Sequence, residues 1–359
     1  MEALAYIKKY QYHLFMVFNL LWVWALTSPD IYYFDDNYRA AGGYYNWGGD
    51  FRPFADWLYY FIGMGRNFTD ITPLPQIFAL LFLYYIYYLY VTKFSDGKIS
   101  ILMLLVFLPI VWSPFLLSNL YFRYDSIFML LAVLLSVLAI FYIDTKKYFR
   151  SIIFVFIACG LYQPAIVAYA CTALFSIYTI KNDGNCNFFK FWLKQSFIYF
   201  FILLIGVISY YFTIIKLTTS YNFYSASHGQ MSIENSIPNI IQAINEIGIL
   251  FSGDTGFIFL AIFSYLVLMN LIYFINRFSY IGIVIFFIIQ IAFMFSAAGV
   301  NLFLETPRFE YRTFIFYGFY ISYLLLSAAY LLNDRKLKKY NFIVLLFYCL
   351  FVFIFCLLH

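Results

Sequence analysis

Charged residues are scarce in this chain: 11% of its 359 residues are Asp, Glu, Lys or Arg, while 65% are hydrophobic. Soluble domains carry about 25% charged residues, so this composition argues against a water-soluble globular protein. We expect a membrane protein, and we expect no nucleic-acid partner.

Two kinds of binding motif are missing as well. Neither of the glycine-rich phosphate loops, GxxxxGK[ST] or GxGxxG, occurs in the sequence. The 5 cysteines and 3 histidines are scattered and show no grouping at metal-ligand spacing. We therefore expect no nucleotide site, no metal site and no cofactor.

Long apolar runs are abundant. Crossing a bilayer takes about 20 helical residues, and a helix satisfies its backbone hydrogen bonds within one segment, as lipid requires. The expected fold class is an all-α polytopic membrane protein, with residues 1–359 forming a single integral membrane domain. The runs predict eleven transmembrane helices, near residues 12–29, 74–92, 99–112, 126–143, 151–162, 164–180, 196–215, 256–275, 279–298, 313–332 and 341–358.

The uncharged stretch 151–180 is long enough for one tilted helix or for two short ones. A single span would place the basic clusters on either side of it on opposite faces of the membrane, against the usual cytoplasmic bias of basic residues. Pro164 also interrupts a helical hydrogen-bond ladder. We therefore predict a re-entrant-like pair of short helices whose tip, Tyr162-Gln163-Pro164, faces protein or a cavity.

The distribution of charge predicts the topology. With a cytoplasmic amino terminus, the inner loops hold most of the lysines, and the outer loops hold most of the acids and several arginines. Two long loops, 30–73 and 217–255, then lie on the extracytoplasmic side. Each contains an apolar segment, at 53–62 and 237–250, that predicts a helix lying on the membrane surface.

The first outer loop concentrates chemically active side chains. It carries the adjacent carboxylates Asp35 and Asp36, followed by Arg39, Trp47 and Arg52. Two buried neighbouring carboxylates repel each other, which raises the pKa of one and suits it to act as a base. Asp35 and Asp36 are therefore candidate catalytic residues, and either can be the base. The alternative is a solvated loop pair or a helix cap.

Four arginines of the outer loops are candidates for binding a phosphate: Arg39, Arg52, Arg308 and Arg312. Arg308 and Arg312 are four residues apart and would share one face if their segment were helical. Glu305 and Glu310 leave local salt bridges open as the alternative role.

An active site on the outer face has no cytosolic nucleotide to draw on, so the membrane must deliver the donor. We expect a sugar on a polyprenyl phosphate, with a carboxylate base for the acceptor hydroxyl and arginines for the leaving phosphate. The reaction would invert the anomeric centre. The residues expected to contact the sugar or the acceptor are Trp47, Tyr162 and Gln163.

The chain resembles the serotype-converting O-antigen glucosyltransferases of bacteria and their phage, the Gtr type II group. The resemblance rests on four short islands, namely Asp35-Asp36 with Arg39, Trp47 with Arg52-Pro53, Tyr162-Gln163-Pro164 and Pro307-Arg308. It implies a GT-C-like fold in the bacterial cytoplasmic (inner) membrane, with the active site facing the periplasm. One departure is Phe51, where the family has a glycine directly before Arg-Pro.

The resemblance also implies the partners. The donor would be undecaprenyl-phosphate glucose, with no further cofactor, and the acceptor a lipid-linked polysaccharide such as the O-antigen. Membrane lipid surrounds the chain, and other membrane proteins would synthesise and flip the donor. Asp35 or Asp36 would be the base, while Arg39, Arg52 and Arg308 would meet the phosphate.

Two other functions stay open from the sequence. A transporter or flippase of a lipid-linked glycan would place acids and broken helices at the bilayer midplane, in inverted repeats. Here the acids lie in loops, and no repeat is visible. An O-antigen polymerase or ligase usually brings a large basic outer loop, whereas the 217–255 loop is poor in basic residues.

Overall fold

The computed structural model describes residues 2–27, 31–33, 35–43, 45–64, 70–95, 99–180, 187–216, 231–249, 252 and 256–332. Regular structure within these ranges is helical, apart from one isolated β-bridge between Met231 and Leu304. The prediction of an all-α chain is confirmed for this part of the molecule.

The helices vary in length from one turn to seven. In chain order they are α1 (Glu2–Thr27), α2 (Asp36–Gly42), α3 (Pro53–Ile62), α4 (Leu74–Phe94), α5 (Ile101–Trp112), α6 (Pro114–Leu117), α7 (Ser126–Asp144), α8 (Tyr148–Leu161), α9 (Ile166–Thr179), α10 (Asn187–Tyr210), α11 (Ser236–Gly248), α12 (Gly256–Phe278), α13 (Tyr280–Ala298) and α14 (Phe316–Leu332). Short 3-10 turns lie at Trp47–Asp50, Ser118–Tyr121, Gln163–Ala165, Gly299–Phe303 and Tyr311–Thr313.

Several helices are suited to cross a membrane. Five segments are long and apolar enough: Leu74–Phe94, Ser126–Asp144, Phe188–Ile215, Gly256–Phe278 and Tyr280–Phe303. A sixth is counted if Ile101–Trp112 and Pro114–Tyr121, which are bent by 47°, form one broken span. The chain is therefore a helical membrane protein, but eleven crossings are not confirmed.

The predicted apolar segments nevertheless coincide with helices almost throughout. Three of them, Tyr12–Ala25, Tyr148–Leu161 and Phe316–Leu331, are shorter apolar helices. The predicted span at 341–358 lies outside the described residues. Helix formation therefore follows the apolar runs, while the number of runs that cross the bilayer stays a prediction.

Helix α7 lies at the centre of the bundle, and α10 lies at its edge. In the most apolar 18-residue stretch of α7, 72% is buried within the protein. In the corresponding stretch of the helix formed by α10 and its extension to Ile215, 22% is buried. Helix α7 packs against α4, α8 and α9, while α10 packs mainly against α8. An apolar helix that the protein does not cover needs an apolar solvent, so α10 is a lipid-facing element.

The predicted break near Pro164 is present. Helix α8 ends at Leu161, Tyr162 is extended, and one 3-10 turn at Gln163–Ala165 leads into α9. The two helices predicted at the membrane surface also form, as α3, which has Pro53 in its first turn, and α11. Their depth in the membrane, and that of the break, stays a prediction.

Phe51 occupies a backbone conformation that favours glycine. Its φ is +59°, in the left-handed region where a side chain is strained. Phe51 is the residue that replaces the glycine expected before Arg52-Pro53 from the resemblance, and its backbone conformation is one that glycine adopts without strain. Burial of the Phe51 ring in a hydrophobic cluster that includes Ile140 and Val155 offsets part of this strain.

Helix α3 docks on α8 at Gly160. A Cβ added there would lie 2.3 Å from Cδ2 of Phe54, so only glycine permits this approach. We expect Gly160→Val to displace α3, and the adjacent Arg52 with it, and to lower the free energy of unfolding by about 1–3 kcal/mol. Thermal unfolding in detergent measures this. Gly248→Ala is the control, because its added Cβ meets nothing within 4 Å, and an equal loss in both variants would contradict the docking.

Candidate active site

The short helix α2 places the paired carboxylates and Arg39 together. The backbone carbonyl of Asp35 accepts hydrogen bonds from the N–H groups of Tyr38 and Arg39, at 3.1 Å each. Acidic residues are favourable at the amino-terminal end of a helix, because the free N–H groups there carry partial positive charge. Gly43, with φ +59°, ends the helix and donates its N–H to the carbonyl of Arg39. Asp36 and Arg39 therefore lie about one turn apart, and both are buried.

Asp36 is the buried member of the pair, with 1% of its surface exposed. Its Oδ2 accepts a 2.7 Å hydrogen bond from the N–H of Arg123, and the Arg123 guanidinium in turn binds Asp70 at 3.1 Å. Burial raises the pKa of Asp36 to about 7, although the N–H groups of Arg123 and Tyr124 lower it. Asp36 therefore ties α2 to the turn that precedes α7.

Asp35 is half-buried and faces a cluster of mixed charge. Burial raises its pKa; Arg312 and Arg39 act to lower it, while Asp125 and Glu310 act to raise it. A carboxyl group with a raised pKa and an accessible edge has the properties that a general base needs.

A third carboxylate, Asp125, was missed by the sequence analysis. It directly precedes α7, and 3% of its surface is exposed. Its Oδ1 accepts a 2.5 Å hydrogen bond from Nε1 of Trp47 and lies 4.0 Å from Nε of Arg39. The Arg39 guanidinium is also 4.0 Å from the centroid of the Trp47 ring. We call this buried group the Asp125 triad (Arg39, Trp47, Asp125).

Trp47 forms part of the wall of the site. It is 1% exposed, and its ring stacks on Tyr59 with 5.1 Å between centroids and 9° between planes. Its loop is fixed by Asp56, whose carboxylate accepts the backbone N–H groups of Asn46, Trp47 and Gly48. The expected contact of Trp47 with a sugar stays a prediction, and the structure shows a packing role for the ring.

The tip of the broken helix docks on the first loop, so two separately predicted regions meet. Gln163 accepts a 3.2 Å hydrogen bond from Nε of Arg52 and donates to the carbonyls of Asp50 and Phe51, at 3.0 and 3.2 Å. The Arg52 guanidinium lies 4.9 Å from the centroid of the Tyr162 ring.

Arg312 reaches the same place from the far end of the chain. The Tyr162 hydroxyl donates to the backbone carbonyl of Arg312 at 3.4 Å, and the Arg312 guanidinium lies 4.5 Å from the centroid of the Phe122 ring. Its Nε is 2.6 Å from the carboxylate of Glu310, which is the local salt bridge left open above. Arg52 and Arg312 thus approach Tyr162 from two different segments.

Arg308 is placed differently. Its side chain is exposed and makes no hydrogen bond or ion pair with the described residues, although its carbonyl accepts a bond from Asn301. Residues 307–310 are not helical, and only a 3-10 turn, Tyr311–Thr313, follows them. Arg308 and Arg312 therefore do not share a helical face. Pro307 lacks the N–H that a helix interior needs.

The raised pKa of Asp36 predicts a pH-dependent stability. In the folded state its pKa rises from the ordinary value of 3.8 to about 7, so the folded protein keeps a proton that the unfolded chain releases. This stabilising contribution is complete below pH 3.8 and is lost as the pH rises through about 7.

We therefore expect Asp36→Asn to flatten the fall in melting temperature between about pH 5 and about pH 8. The measurement is thermal unfolding of both proteins in the same detergent at both pH values, because the comparison removes the other titrating groups. An unchanged pH slope in Asp36→Asn would show that Asp36 titrates normally.

Comparison with known proteins identifies a family. The family model described as "Glucosyl transferase GtrII" matches residues 24–359. A relative in Salmonella phage P22, described as an uncharacterized 55.3 kDa protein in the gtrB 5' region, is 26% identical over 261 residues. This alignment covers 70% of the present chain and 53% of the relative, so the chain spans about half of the relative's length. No solved structure matches.

The family match extends over all the islands on which the sequence resemblance rests, from Asp35 to Arg308. It therefore confirms that resemblance. The chain belongs to the GtrII glucosyl transferase family.

Proposed function

We propose that this chain is an inverting glycosyltransferase that moves glucose from a polyprenyl phosphate to a lipid-linked polysaccharide, the O-antigen or a similar glycan. The reaction takes place on the periplasmic face of a bacterial inner membrane, within one integral membrane domain. The observations that support the proposal are that Arg312, Arg39 and Asp125 lie close enough to Asp35 to influence its pKa, and that Tyr162, at the tip of the broken helix, contacts the backbone of Arg312.

Asp35 is the base in this proposal. Asp36 is buried and holds the N–H of Arg123, whereas Asp35 is half-exposed and close to the arginines. Asp35 takes the proton of the acceptor hydroxyl as that oxygen attacks the anomeric carbon of the donor sugar. The bond from this carbon to the phosphate oxygen breaks, and the polyprenyl phosphate leaves with the electron pair.

Arg52 and Arg312 stabilise the leaving phosphate in this proposal. Tyr162 contacts both residues, with its ring near the Arg52 guanidinium and its hydroxyl on the backbone carbonyl of Arg312. The side chain of Arg52 is bound by Gln163, and that of Arg312 by Glu310. Positioned cations stabilise charge that develops in the transition state without having to reorganise. Arg39, held in the Asp125 triad, adds buried positive charge to the site, and Arg308, which is exposed, would contact the donor from the protein surface.

The transport alternative is less well supported. A transporter is expected to hold its acids within the spans at mid-membrane, whereas Asp35, Asp36 and Asp125 precede α2 and α7 or begin them. The family match likewise favours transfer of a glucosyl group over the polymerisation or ligation of whole polysaccharide units.

The test is transfer by the purified protein in lipid nanodiscs. With polyprenyl-phosphate [14C]glucose and a lipid-linked polysaccharide, we expect the label to move to the polysaccharide. UDP-[14C]glucose should give no transfer. Transfer from the nucleotide sugar, or none from the lipid-linked sugar, would overturn the proposal.

A further inference from the structure

A long apolar groove runs along the lipid-facing side of the bundle, between α8 and α10. Its volume is about 720 Å³. Apolar side chains make up nearly all of its wall, among them Ile152, Leu193, Phe197, Phe201 and Ile205. The polar exceptions are Tyr148, Lys190 and Lys194.

The groove closes at the end nearer the candidate active site. A Cβ added to Gly206 would lie 2.5 Å from Cγ1 of Val155, so α8 and α10 touch there. One turn further on, the hydroxyl of Tyr210 receives a 3.1 Å hydrogen bond from Gln163. The two helices are therefore held together beside the active site, and the groove lies on the other side of the Gly206 contact.

Two lysines lie at the end of the groove that is farther from Gly206. Lys190 and Lys194 are four residues apart on α10 and so share one face. Both are exposed, and neither forms an ion pair with another described residue. Asp144, an acid on the neighbouring α7, is already bound by Lys93 at 2.5 Å. An anionic group at this end would therefore meet two available ammonium groups.

The dimensions fit a lipid chain within one leaflet. From Lys190 to Ile205, α10 rises about 22 Å, which exceeds half of the ~30 Å hydrocarbon core. From Lys190 to Tyr210 it rises about 30 Å, so the lysines and the candidate active site lie at opposite faces of the membrane.

We propose that this groove binds an anionic diacyl phospholipid, with an acyl chain along the apolar wall and the phosphate on Lys190 and Lys194. A donor whose phosphate reaches Asp35 cannot also place that phosphate on Lys190 and Lys194, about 30 Å away along α10. The site is thus separate from the proposed reaction, and its test does not depend on catalysis.

Native mass spectrometry of the full chain in detergent tests the proposal, with phosphatidylglycerol and phosphatidylcholine of matched acyl chains as probes. We expect the wild type to retain phosphatidylglycerol over phosphatidylcholine by about tenfold or more, since each lysine near an anionic lipid strengthens binding severalfold. The double variant Lys190→Gln/Lys194→Gln should lose this preference. Lys216→Gln removes an exposed lysine after the other end of α10 and should keep it.

Three results would overturn the proposal. They are equal retention of both lipids by the wild type, an undiminished preference in the double variant, and stronger retention of polyprenyl phosphate than of phosphatidylglycerol by the wild type but not by the double variant.

Discussion

Asp35→Asn is expected to lower the rate of sugar transfer by a factor of about 10²–10⁴, the usual contribution of a general base. The amide keeps the shape of the carboxylate but cannot take the proton of the acceptor hydroxyl. Because Asp35 is half-exposed and its carboxylate binds no backbone N–H among the described residues, the variant should accumulate in the membrane and melt close to the wild type. The measurement is the initial rate per folded molecule with the lipid-linked donor.

Variants of two other acids in the same loop distinguish the role of Asp35 as a base from a general effect of removing negative charge. Asp36→Asn should cost far less activity, because Asp36 holds the turn before α7 and its isosteric amide can still accept the N–H of Arg123. Asp50→Asn should leave the rate unchanged, since the contact of Asp50 with Gln163 uses its backbone carbonyl. If Asp36→Asn is inactive while Asp35→Asn is active, the assignment of the base is wrong.

Asp125→Asn is expected to lower transfer by about 100-fold, mainly in kcat, as loss of a positioned charge does at other active sites. The amide can still accept the indole N–H of Trp47, but Arg39 loses the carboxylate 4.0 Å from its Nε. Breaking a buried pair leaves a buried charge uncompensated, so the melting temperature should fall as well.

The other end of α7 provides the matched control. Asp144→Asn removes the half-exposed bridge to Lys93, and such bridges stabilise by about 0–1 kcal/mol. Its rate should match that of the wild type. If Asp125→Asn behaves like Asp144→Asn in rate and melting temperature, then the Asp125 triad has no part in the reaction.

The elements that could be predicted from the sequence are those governed by local physics. Apolar runs predict helices because lipid leaves the backbone no other partner, and the break between α8 and α9 follows from Pro164. The candidate loop stands out because it concentrates adjacent acids and arginines in a chain with only 11% charged residues, so Asp35 and Asp36 can be found from the sequence alone.

The parts that were missed depend on distant contacts. Asp125 is separated from its partner Trp47 by 78 residues, and locally it is only an acid in front of an uncharged span. That boundary position is a signal for function that was available. The burial of Trp47 could not be read from its loop, because Tyr59 and Asp125 cover it only in the folded chain.

The spacing of Arg308 and Arg312 was misleading for a related reason. A separation of four residues brings side chains together only in an α-helix, and the segment around Pro307 is not helical. The side chain of Arg312 instead pairs with the nearby Glu310, while its backbone carbonyl accepts a hydrogen bond from Tyr162, 150 residues away in sequence.

The most direct test of the account is the mass of the surface polysaccharide in bacteria that make the lipid-linked donor and express either the wild type or Asp35→Asn. The account predicts an added hexose on the polysaccharide repeat with the wild type, and none with Asp35→Asn at equal protein level. An added hexose that persists with Asp35→Asn, or none with the wild type while the donor is present, would contradict it.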